Sequence, residues 1–73
     1  MGYIIILTSI TYVNKAQYLL SQNNIKSSII KLQSSLERRG CGYGLEVRDN
    51  FLRTAVDIIE RHGVRIVEIA GAD

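Results

Sequence analysis

The chain predicts an α+β sandwich, with four antiparallel strands in one sheet and two helices packed on one of its faces. Two observations carry this reading. Four short runs rich in Ile, Val, Leu or Tyr are separated by turn and cap residues, and two longer stretches repeat apolar residues at helical spacing. They alternate in the order β-α-β-β-α-β, the split βαβ or ferredoxin-like arrangement.

Tyr3 to Leu7 is a continuous apolar run, which suits a strand covered on both faces and therefore central in the sheet. Thr8, Ser9 and Thr11 then offer hydroxyls for the start of a helix. That helix runs to about Gln22, with Val13, Ala16, Leu19 and Leu20 along one side, and Asn23-Asn24 ends it. Ile25 to Leu32 reads as a second strand, an edge one because of Ser27 and Ser28. Gln33 to Gly40 is polar and reads as a loop ending in a basic pair. Cys41 to Val47 is the third strand. Asp49 or Asn50 is the expected cap of a second helix, which carries Leu52, Ala55, Val56 and Ile59 at i, i+3, i+4 and i+7. His62-Gly63 closes it with glycine at the usual C-terminal position, and Val64 to Ile69 is the last strand.

The right-handed crossover rule leaves room for the third strand between the first and the second. Strands one and three are then antiparallel neighbours. The start of the third strand comes beside the end of the first, which brings Cys41 close to Thr8, Ser9 and the first helix N-terminus.

Seventy-three residues suit a single domain, residues 1–73, near the lower size at which one core folds unaided. The chain is 47% hydrophobic with no Pro and no Trp, a composition that suits a compact globular fold rather than disorder. A lone Cys argues for a reducing, cytoplasmic setting and against a disulfide-stapled secreted scaffold. The net charge of +2 is too small to imply a nucleic-acid partner. The first apolar run is too short to span a membrane.

The stretch "RRGCGYGLEV" holds the one cysteine between alternate glycines. Arg39-Gly40-Cys41-Gly42-Tyr43 resembles an RNA-recognition signature with Cys in place of one aromatic. Strand parity argues against that reading. Displaying Cys41 and Tyr43 on the open face would turn Glu46 into the core and leave Leu45 and Val47 outside. The opposite parity buries Tyr43, Leu45 and Val47 and frees Glu46. Cys41 then points toward the helix layer at the mouth of the sandwich. Helix N-terminal amides and nearby arginines stabilise a thiolate and lower its pKa from about 8.5 to roughly 3.5–7.5 in such settings. Gly40 and Gly42, lacking Cβ atoms, would let a second molecule approach. The plainer alternative is that Cys41 is a small buried apolar residue, inert like most free cysteines.

Beyond these local readings, the chain from residue 3 to about 69 resembles the small bacterial selenium/sulfur carrier-like proteins. The resemblance rests on "YIIILTS", "TYVNKAQYLLSQNNI", a "CG" opening the third strand and "GLEVRDNFLRTAVDIIERHGV" in that order. Cys41-Gly42 is its specific element. Gly40 stands where the family usually has a small residue, often Ser, and Tyr43-Gly44 departs from the expected pattern. The resemblance implies a carrier cysteine at Cys41, loaded by a cysteine desulfurase-type donor and unloaded onto an acceptor protein.

Other residues have modest expectations. Arg38 and Arg39 would dock an acidic partner or an anion, or simply be solvated. Thr8 and Ser9 would contribute hydroxyls near a bound sulfur, or cap the helix. His62 suits a helix end, has no companions at metal-ligand spacing, and is expected far from Cys41. No metal or cofactor is therefore expected. Tyr12 and Tyr18 cannot both share the core-facing side of their helix. Ile4 and Ile6, or Ile5 and Leu7, together with Val67 and Ile69, are expected to make the open sheet face apolar. Such a face suggests a homodimer. The functional expectation is a sulfur or selenium carrier rather than an enzyme. Its alternative is a small ligand-binding or regulatory module in which Cys41 only packs.

Overall fold

The structure, a computed structural model, describes residues 2–33 and 42–72. Along the chain come β1 (Gly2–Leu7), α1 (Ile10–Gln22), β2 (Ser28–Lys31) and β3 (Tyr43–Arg48). A 3-10 turn (Asp49–Phe51), α2 (Leu52–Arg61) and β4 (Ile66–Ala72) follow. Among the described residues the four strands form one sheet in the order β2-β3-β1-β4, with every neighbouring pair antiparallel. This is the α+β arrangement that the order of elements predicts, consistent with a ferredoxin-like sandwich.

Register assigns each side chain to a face, because directly paired residues point the same way. Ile29, Leu45, Ile5 and Ile69 form one row across the sheet. Ile5, Leu7, Leu45 and Val47 pack on that side against Val13, Ala16, Leu19 and Leu20 of α1 and Ala55, Ile58 and Ile59 of α2. The parity that buries Leu45 and Val47 is therefore the observed one. Tyr43 corrects the expectation made for it, since it remains 40% exposed at the first position of β3.

On the other face Ile30, Gly44, Ile6 and Glu68 form a row, and Ile4 lies beside Glu46 and Ala70. This face carries its own small core of Ile4, Ile6, Leu32 and Ala72, with Ile30 and Ala70 at its margin. Ile4 is 9% exposed and Ile6 fully buried, so neither offers the open apolar surface expected of them. Ile69 does not join them, because its pairing with Ile5 puts it on the helix side.

Both helices end in the same device. After α1, Asn24 adopts φ +60°, its amide donates to the Ser21 carbonyl, and the Ile25 amide donates to Leu20. After α2, Gly63 adopts φ +78°, its amide donates to Glu60, and the Val64 amide donates to Ile59. These are Schellman closures, and each buries the apolar residue that follows it, Ile25 or Val64, against the same core. This explains two shifted boundaries. Ile25 and Val64 look like the first residues of strands, yet each belongs to a helix terminus, so β2 starts at Ser28 and β4 at Ile66.

Three further boundaries differ from expectation. The second helix has no side-chain cap at Asp49 or Asn50. Asp49 Oδ1 accepts from the Asn50 amide at 2.8 Å within the 3-10 turn, and Phe51 precedes the helix. The third strand starts at Tyr43, because Gly42 has φ +88°, outside strand geometry. The last strand continues to Ala72, where pairing with Gly2 sustains a small-residue sequence of low strand preference.

Candidate functional site

The end of the sheet beside the α1 N-terminus holds three of the sequence-predicted site residues. Ser9 is extended (φ −154°, ψ 158°) and its Oγ accepts from the Tyr12 amide at 3.2 Å. Its carbonyl accepts from Val13 at 3.0 Å. The hydroxyl is thus used to satisfy an otherwise unpaired helix amide. Thr8 is exposed next to it.

Gly42 is held by the residue that follows β2. The register between β1 and β3 runs from Gly2–Arg48 to Ile6–Gly44, and Gly42 precedes the first residue of β3. The Gly42 carbonyl accepts from the Leu32 amide at 2.9 Å, which ties the entry to β3 to the exit from β2. Among the described residues, a Cβ built on Gly42 would meet nothing within 4 Å. Cys41, Arg38, Arg39 and Gly40 lie outside the described residues.

Gly44 differs from Gly42 in kind. It is buried on the open face, where Ile4 and Leu32 close over it. The space left by its missing side chain is filled by the protein itself and is not an access route.

His62 caps α2, with Nδ1 2.9 Å from the Ile58 carbonyl, so the tautomer protonated at Nδ1 donates to it. Among the described residues no three His, Cys, Asp or Glu side chains gather in a way that would hold a metal ion. No helix among them is long and apolar enough to cross a membrane. Tyr12 and Tyr18 are both exposed, and the Tyr18 hydroxyl accepts from Gln22 Nε2 at 2.8 Å.

A second feature escaped the sequence reading. A groove of about 540 Å³ runs between α1 and the segment leading into β2, lined by Asn14, Gln17, Tyr18, Asn24, Lys26 and Ser27 among others, with no carboxylate among the described lining residues. Gln17 Nε2 donates to the Ser27 carbonyl at 3.2 Å, and the Ser27 Oγ is buried without a hydrogen-bond partner. The signal was present in the sequence. Asn14, Gln17, Tyr18 and Ser21 stand at i, i+3, i+4 and i+7, a polar stripe at helical spacing. What the sequence could not show is that the turn at Asn24 folds the next segment alongside that stripe.

No protein-family model, curated protein or solved structure matches the chain. The likeness to selenium/sulfur carrier-like proteins accordingly rests on the quoted residues alone.

Proposed function

We propose that the protein is a small thiol carrier in which Cys41 accepts a sulfane sulfur, or selenium, from a donor protein and passes it to an acceptor. The observation that supports this reading is the setting of Gly42. It fixes the chain directly after Cys41 to the sheet end by the Leu32 hydrogen bond, and no described residue fills its own side-chain position. A carrier needs its thiol attached to a rigid platform and open to protein surfaces of different shape.

In the step proposed, the Cys41 thiolate attacks the outer sulfur of a donor cysteine persulfide. The Cys41 S–S bond forms as the donor S–S bond breaks, and the donor cysteine leaves as thiolate. No external oxidant or reductant is consumed, since exchange moves a sulfur between equivalent thiols. Transfer onward repeats the exchange toward the acceptor. Arg38 and Arg39 would favour the thiolate and engage an acidic donor surface.

Alkylation kinetics test this. A carrier thiol reacts with iodoacetamide near neutral pH at least as fast as a free cysteine, at a rate independent of denaturant below the unfolding transition. A rate that follows global unfolding would instead mean that Cys41 is a packing residue. In that case the alternative, a small ligand-binding module, would draw on the polar groove and its unpartnered Ser27 hydroxyl.

A further inference from the structure

The two edges of the sheet are built differently. β2 is four residues long, with Ser28 and Lys31 exposed at its ends, and short charged edges resist pairing with other chains. β4 is seven residues of sequence IVEIAGA, with Glu68 as its one charged residue and no Lys, Arg or Pro. No described strand pairs with its outer side. Long apolar edges of this kind recruit another strand unless something covers them.

We propose that β4 is a dimerisation edge, on which a second copy of the chain pairs β4 with β4 antiparallel about a two-fold axis through Ile69. The sheet then continues from four strands to eight. This inference is independent of the carrier reading.

The choice of a second copy follows from how the edge matches itself. Ile69 and Gly71 lie on the helix side, paired with Ile5 and Tyr3 of β1. The register shift between Ile6 and Leu7 leaves Val67 as the extra residue of a bulge, and alternation from Glu68 puts it on the same side. Val67 and Ile69 are 39% and 38% exposed, and Tyr3, across from Gly71, is 37% exposed.

A two-fold axis through Ile69 sets the two Ile69 side chains against each other and each Val67 opposite Gly71 of the second copy. A Cβ on Gly71 would meet nothing within 4 Å, so the slot beside Tyr3 is open to receive that valine. Glu68 falls opposite Ala70. An axis through Glu68 would oppose two carboxylates directly, which is unfavourable. The axis through Ile69 therefore matches knob to hole and separates like charges.

Sedimentation equilibrium of the full chain over a concentration series, with Ile69→Lys and Gly71→Val beside the wild type, tests the proposal. The wild type is expected to be a dimer. Each variant should raise the dissociation constant about tenfold or more, with unchanged circular dichroism. Gly71→Val is the sharper variant, since in the monomer its side chain enters open space. Backbone hydrogen exchange across β4 should slow as concentration rises. A monomer at every concentration would overturn the proposal, as would open-ended polymers, which indicate β4–β2 pairing. So would a dimer indifferent to both variants but dissociated by Ile30→Lys, because that places the contact on the open face.

Discussion

Leu32 closes over Gly44. A Cβ on Gly44 would stand 2.9 Å from Leu32 Cδ2 and 2.6 Å from Ile4 Cγ2, while the Leu32 amide donates to the Gly42 carbonyl at 2.9 Å. One leucine just past the end of β2 therefore closes over the sheet face opposite α1 and α2 and anchors the entry to β3.

Gly44→Ala should accordingly destabilise the fold by about 1–3 kcal/mol through overpacking. Leu32→Ala alone costs about 2–5 kcal/mol as a core truncation. In the double variant the new methyl gains room, so the two costs should fall short of their sum by at least about 0.5 kcal/mol. Urea denaturation of the four proteins measures this, and strict additivity would show that the two side-chain positions do not meet.

The helix ends give a pair of opposite effects. Gly63→Ala forces a Cβ into the left-handed region and should cost about 1–2 kcal/mol. Asn24→Gly relieves the same strain at φ +60° and should be neutral or stabilising by a few tenths of a kcal/mol. Thermal and denaturant unfolding distinguish these, and a destabilising Asn24→Gly would mean that the asparagine side chain is needed where it stands.

Ser27 supplies a test of the groove. Its Oγ is buried without a partner, so removing it by Ser27→Ala should leave stability unchanged or raise it by up to about 1 kcal/mol. A loss of about 1 kcal/mol or more would show that the hydroxyl is satisfied in solution by something held in the groove.

Much of this architecture was legible from periodicity. Val13, Ala16, Leu19 and Leu20 in α1, and Ala55 and Ile59 in α2, are buried where helical spacing puts them, and Tyr3 to Leu7 lies within β1, one of the two inner strands. The errors have local causes. Ile25 and Val64 are apolar and β-branched like strand residues, but left-handed turns before them commit both to helix closure. Ala70 to Ala72 has weak strand preference and is held by its partner strand, which single-sequence reading cannot see. For Tyr43 and Gly44, alternation fixes a face but not what covers it. Val67 and Ile69 are expected on the open face with either Ile4 and Ile6 or Ile5 and Leu7, but pairing with Ile5 puts Ile69 on the helix side, because a one-residue choice of register moves a side chain between faces.

The site was legible in a narrower way. Ser9 serves as the helix cap its residue type suggested, and Gly42 directly precedes β3, tied to Leu32. The groove stayed hidden because its polar stripe has meaning only once the chain after Asn24 folds back beside it.

The most direct test of the carrier account is to incubate the protein with a cysteine desulfurase and free cysteine and record its intact mass. The account predicts the gain of one sulfur atom, reversed by a thiol reductant and absent from Cys41→Ser. No gain, under conditions in which an established carrier protein is loaded by the same enzyme, would contradict it.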